Sequence, residues 1–188
     1  MRPAQSVLLI AALFLPAIHI AQSQRPNLPF FDWNACPFEG CKYGQWTARK
    51  PVLVYDTWKR TRRTAARLMA GEKVVAVTGV VITFKPEVIR INLDLPENGL
   101  KRGDIILTYT YRGEGSWAVW FKGMYHEDFG VPSAYKPEDP VCQKECAATY
   151  IQMGKKEWWA KIKLKSGKTA WVNMDKEFES FDGVDSLG

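Results

Sequence analysis

The sequence predicts an all-β chain arranged as small barrels, and three observations carry that expectation. Short runs rich in β-branched and aromatic residues recur from Trp46 onward. Glycine-centred turns punctuate them, and no amphipathic helix of ten residues stands out after residue 23. With 188 residues and 46% hydrophobic content, the chain can bury one medium core or two small ones.

The first segment reads as a targeting signal. Met1-Arg2 supplies a positive charge, Val7 to Ile18 is almost unbroken apolar sequence, and Ala21-Gln22-Ser23 places small residues where a signal peptidase cuts. Residues 1–23 are therefore expected to be removed, leaving a secreted or periplasmic protein. A retained anchor is the rival reading, but the apolar run falls short of the ~20 residues that span a bilayer and contains Pro16. No later stretch is long and apolar enough to cross a membrane, so no transmembrane segment is expected in the mature chain.

Residues 24–45 are rich in proline, aromatics and turn formers without a sustained period, which predicts an irregular arm. Export makes disulfides the expected state of Cys36, Cys41, Cys142 and Cys146. Three connectivities are open: local pairs close very short loops, whereas crossed pairs tie the arm to the late linker. A four-cysteine zinc site is the competing reading, and the absence of a two-residue C-x-x-C spacing argues against it.

Order begins at Trp46. "PVLVYDTW" predicts a short strand, and Thr64 to Met69 reads as strand rather than as a single helical turn. After the Ala70-Gly71 turn, Val74 to Thr83 predicts a long strand that Gly79 bends or bulges. "EVIRINLDL" alternates, Pro96-Glu97-Asn98-Gly99 turns the chain, and Ile105 to Tyr111 alternates again. In that run Ile106, Thr108 and Thr110 face one way, and Ile105, Leu107, Tyr109 and Tyr111 the other. Gly113-Glu114-Gly115 then reverses the chain into Trp117 to Phe121. Leu68 to Val74 and Leu100 to Ile106 share the form L-x-x-G-acid-x-aliphatic, which argues that one turn-and-strand device is used twice. Residues 130–148 return to proline, glycine and cysteine and read as a linker or large loop.

"WWAKIKLKSGKTAWV", from Trp158 to Val172, carries the strongest local pattern. Trp158, Ala160, Ile162 and Leu164 share one face, and Trp159, Lys161, Lys163 and Lys165 the other. Ser166-Gly167 supplies a tight turn into Thr169 to Val172, so the stretch predicts a half-buried hairpin with one wet face.

This hairpin, preceded by L-x-A-G-E-K-V-x-A-x-x-G, resembles the body of bacterial Src homology 3 (SH3)-like domains over roughly residues 46–130 and 150–183. Ala170 stands where that family usually has glycine before the closing tryptophan. The resemblance implies a small five- or six-stranded barrel; the long stretch between Gly123 and Trp158 leaves open one decorated barrel or two in tandem, and two are expected: 46–97, then 98–188 with a long insertion at about 123–157. It also implies an exported module that binds rather than reacts, through a shallow groove of aromatic and charged residues. The candidate ligand-binding residues on that reading are Tyr109, Tyr111, Trp117, Trp120 and Trp159, taken as exposed rings on which sugars stack; a place in the core is the alternative for aromatics at strand spacing, Trp159 included.

Charge adds a second element. From Lys42 to Lys73 there are nine basic residues against Asp56 and Glu72. Lys59, Arg60, Arg62, Arg63 and Arg67 form a candidate basic patch, suited to envelope polyanions, anionic lipid or stray nucleic acid but to no specific nucleic acid sequence. A solvated face that only aids solubility is the plainer reading.

Catalytic motifs are sparse. His126 is the one histidine after residue 23, which leaves no histidine-rich metal set and no partner for a nucleophile elbow. Gly113-Glu114-Gly115 lacks the third glycine and following helix of a phosphate loop. Paired carboxylates of glycosidase type remain open for Glu114, Glu127 and Asp128. The sequence thus reads as a non-catalytic protein without metal or cofactor that recognises an envelope glycan or peptide. The alternatives are an inhibitor or accessory subunit docking on another exported protein, or a purely structural envelope protein.

Overall fold

The computed structural model describes residues 24–143 and 145–185. The expected signal segment, residues 1–23, lies outside them. The chain is mostly strand, arranged in two sheets. β1 (Phe30–Trp33), β2 (Gln45–Ala48), β3 (Val52–Tyr55), β4 (Thr64–Leu68) and the long β5 (Lys73–Lys85) open the first sheet. β6 (Glu87–Ile91), β7 (Ile105–Gly113), β8 (Ser116–Phe121), β9 (Met124–Gly130), β10 (Ala134–Tyr135) and β11 (Ala148–Gln152) form the second. β12 (Lys155–Lys163), β13 (Thr169–Asn173) and β14 (Phe181–Asp182) then return to the first, with a short helix α1 (Met174–Glu177) after β13.

The first sheet runs β14-β2-β5-β12-β13-β3-β4, with β1 also on β5, and curls into an open half-barrel. The second runs β10-β11-β6-β7-β8-β9. The sequence reading expects two barrels in tandem meeting at 97/98. The sheets part instead at Pro86 and Gly154, and the residues around Asn98 form a 3-10 turn between β6 and β7, which pair with each other. Pro86 has no amide hydrogen to donate, so the ladder of β5 ends there. Gly154 closes the excursion, because a Cβ at that position would sit 2.9 Å from Glu87 Cγ and 3.0 Å from the Lys85 carbonyl. Entry and exit therefore lie side by side, with Lys85 opposite Lys155. The stretch expected as an insertion, 123–157, supplies β9, β10 and β11 and the start of β12.

β12 and β13 form the expected hairpin, Lys161 opposite Trp171, closed by backbone bonds from Leu164 N to the Lys168 carbonyl and from Gly167 N to the Leu164 carbonyl. The inner face of the half-barrel buries Trp46, Val54, Val74, Ala76, Val81, Trp158, Ala160, Ile162 and Val172. Burial of each large side chain there contributes about 1.5–3 kcal/mol. β5 carries two irregularities against β12, at Val77 between the Ala76–Ile162 and Thr78–Lys161 pairs and at Phe84 between the Thr83–Lys156 and Lys85–Lys155 pairs, and not at Gly79. Gly79 is needed for a close approach: a Cβ would fall 2.0 Å from Tyr43 Oη, which donates to the Ala35 carbonyl and accepts from the Trp158 indole.

The second sheet packs on the inner side of the first at one end. Thr83 Oγ1 donates to the Tyr109 carbonyl, Phe30 meets Tyr109 edge-on, and Arg112 pairs with buried Asp32 at 2.8 Å. Lys156 donates to Glu87 at 3.0 Å beneath the Trp117 ring. The two disulfides are the local ones, Cys36–Cys41 and Cys142–Cys146. The arm is thus anchored through β1 and side-chain contacts rather than by a bridge to the late linker.

Candidate binding site

The outer face of the first sheet carries a second hydrophobic cluster. Alternation along β5 and β12 turns Val80, Ile82 and Trp159 away from the inner core, and they pack with Phe31, Tyr55, Trp58 and Trp171. β1 contributes by the same rule: Phe31 lies opposite Ile82 and Trp33 opposite Val80. Phe31 stacks on Trp33, and both contact Trp58.

Trp58 arrives on the β3–β4 connection, which is clamped at its base. Asp56 N donates to the Arg63 carbonyl, and Arg63 N donates back to Asp56 Oδ1 at 2.8 Å. Inside the clamp, Arg62 N donates to the Lys59 carbonyl. This folds residues 57–62 over the sheet and lays the Arg62 guanidinium 5.4 Å from the Tyr55 ring centre and 5.0 Å from that of Trp159. Lys59 lies 5.9 Å from the Trp58 ring, and Lys155 lies 5.7 Å from that of Phe84.

Between this connection and the sheet lies a groove of about 290 Å³ lined by Trp58, Lys59, Arg60, Arg62, Ile82, Phe84, Lys155 and Glu157. Its four cations form no ion pair with a carboxylate among the described residues. Glu157, the groove's one acid, accepts from Trp159 Nε1 at 2.9 Å. The result is an aromatic floor with a cationic rim. Trp33 extends the floor outward, 52% exposed. Such a surface stacks flat apolar faces of a ligand and meets its carboxylates or phosphates with guanidinium and ammonium groups.

The sequence-derived candidates divide. Lys59, Arg60 and Arg62 come together in the groove, while Arg63 and Arg67 are exposed outside its lining. Trp159 and Tyr109 do not have the exposed rings expected of them. Trp159 is 1% exposed, sealed by Arg62 and Tyr55, and Tyr109 is fully buried at the junction of the sheets. Trp120 is half-buried between Leu107 and Tyr125. Tyr111 and Trp117 do meet, with ring centres 5.0 Å apart, in a slot of about 260 Å³ that Tyr150 and Pro132 also line. They share a face because Tyr109 is an extra residue between the Thr108–Val119 and Thr110–Ala118 pairs, which shifts the alternation of β7. The cation beneath that slot is committed, however. Burial pushes the Lys156 ammonium below its usual value, and Glu87, itself held by the Thr108 hydroxyl, is its counter-ion.

A cavity of about 590 Å³ lies between the Cys36–Cys41 loop and the β7–β8 turn. Glu114 and Asp128 both line it, and Glu127 does not. Glu39 accepts from the Tyr111 hydroxyl and from Glu114 N, and Asp128 accepts from the Ser116 hydroxyl. The Glu39, Glu114 and Asp128 side chains are exposed, and those of Glu39 and Asp128 are bonded to neighbouring protein groups. Among the described residues, no group of three or more His, Cys, Asp or Glu side chains is arranged to hold a metal ion, and no helix is long and apolar enough to cross a membrane.

Phe31, Trp33, Trp58, Phe84 and Lys155 are the members of this surface that the sequence pattern alone does not single out. The signal for the first two was present in "FFDW", whose alternation puts Phe31 and Trp33 on one side, but prolines on the N-terminal side masked it. Comparison of the chain with protein-family models, curated proteins and solved structures yields no match.

Proposed function

We propose that this chain is a non-catalytic binding module that recognises an acidic envelope glycan of peptidoglycan type outside the cytoplasm, through the outer-face groove. The observation that carries the reading is the set Lys59, Arg60, Arg62 and Lys155 on an aromatic floor, with no carboxylate ion-paired to them among the described residues. Unpaired cations beside exposed rings keep both their charge and their stacking surface for a ligand. The first sheet is read here as an opened-out relative of the SH3-like barrel. The L-x-A-G-E-K-V strand and the closing tryptophan hairpin, the two parts that carry the resemblance, supply its neighbouring strands β5 and β12–β13.

The test is cosedimentation of residues 24–188 with insoluble peptidoglycan at low and high salt. The protein is expected in the pellet at low salt and in reduced amount at high salt, because the cations are exposed and screened. Absence from the pellet at both salt concentrations would overturn the proposal.

A further inference from the structure

We infer that the ligand of this face is a linear acidic polysaccharide lying along β12, not a compact anionic group held in the Trp58 groove alone; this rests on the function proposed above. The regular pairing of β12 with β13 keeps Trp159, Lys161 and Lys163 on the outer face, and Glu157, opposite Ile82 of β5, continues the row, at about 7 Å intervals. At the far end of the strand lies a second furrow of about 290 Å³, lined by Gln45, Lys73, Val74, Val75, Lys163, Leu164 and Lys165. It too is cationic, and it contains no acid.

Lys161, poised 5.9 Å from the Trp171 ring, stands between the two concavities. From Lys155 to Lys163 the strand covers about 26 Å at the usual rise. The exposed side chains beside this path, Val75 and Val77, are aliphatic, each 47% exposed. A polymer crossing here meets cations at both ends and in the middle, with ring stacking at the Trp58 end only. Single-stranded nucleic acid is the less suitable occupant, because its sites stack successive bases on successive rings. Here Trp159 is sealed and Trp171 lies beneath Lys161.

The experiment is a length series of oligogalacturonates, dimer to decamer, titrated against residues 24–188 with tryptophan fluorescence as readout. A thymidylate oligomer of matched charge serves as the second arm. Affinity is expected to rise with length and level off once the chain exceeds about 26 Å. Lys163→Glu with Lys165→Glu is expected to weaken the decamer about tenfold while leaving the dimer unchanged. Length-independent affinity, or a decamer indifferent to the two lysines, would overturn the extended path and leave the groove reading standing. If no oligomer binds, dimer included, the acidic-polysaccharide path falls, while cosedimentation with peptidoglycan decides the groove reading separately. Tighter binding of the thymidylate than of the decamer overturns the choice of polysaccharide.

Discussion

Two tryptophan–cation assemblies in this molecule use the same chemistry to opposite ends. At the junction of the sheets, Lys156 lies 4.6 Å from the Trp117 ring and is ion-paired with Glu87. On the outer face, Arg62 lies 5.0 Å from the Trp159 ring and has no carboxylate partner among the described residues. A buried cation without its counter-ion costs several kcal/mol, so the first assembly is held by structural necessity. A cation at the surface keeps most of its hydration and needs no partner, so the second can wait for a ligand. The difference teaches that a ring and a cation together do not mark a site. What marks it is whether the cation's charge is already matched.

The sharpest way to break this comparison is through the ring that the outer assembly covers. Trp159→Ala is expected to destabilise the protein by about 3–5 kcal/mol, because it empties a fully enclosed volume in the outer cluster. Urea denaturation measures this, and a loss below about 1 kcal/mol would mean that Trp159 is not sealed as described.

Next in size is Lys156→Met, expected to cost about 3 kcal/mol by leaving Glu87 shielded with Thr108 alone. Adding Glu87→Gln should recover much of the loss. The pair also has a pH signature. The folded Lys156 titrates below 10.5, so between its depressed value and 10.5 the unfolded chain binds more protons and stability rises with pH. Half-buried Tyr43, whose hydroxyl is held above its usual value, contributes a fall in the alkaline range. The wild type minus Lys156→Met difference, measured by urea midpoint from neutral pH to 10.5, isolates the lysine. An unchanging difference would contradict its burial. Arg62→Ala is the smallest structural change, expected to cost about 1 kcal/mol through lost contact with Tyr55 and Trp159 while weakening glycan binding about tenfold.

The same contrast explains what was legible beforehand. The Trp158–Val172 hairpin was readable because strict alternation and a Ser-Gly turn are local signals; a two-residue Ser166-Gly167 turn would set Lys161 opposite Val172, whereas the turn spans Lys165 to Gly167 and sets it opposite Trp171. The buried state of Trp159 was not, because the residues that seal it come from β3 and from the β3–β4 connection, about a hundred positions earlier. Nor could alternation alone place Tyr111 with Trp117, since one extra residue at Tyr109 reverses every side chain beyond it. The partition into sheets escaped for a related reason. β5 pairs with β12 across the whole second sheet, and no local pattern records a partner that distant. The basic cluster was found as charge, while the floor that gives it a shape comes from the β3–β4 connection and β5, extended by Phe31 and Trp33 of an arm whose prolines hid a strand.

The most direct measurement compares Trp58→Ala with Trp117→Ala in calorimetric titration of an acidic peptidoglycan fragment at fixed salt. Trp58→Ala is expected to lose about tenfold or more in affinity with little loss of stability, and Trp117→Ala to bind as the wild type while unfolding more easily. If Trp117→Ala abolishes binding and Trp58→Ala leaves it intact, the ligand sits in the slot between the sheets and the outer-face account is wrong.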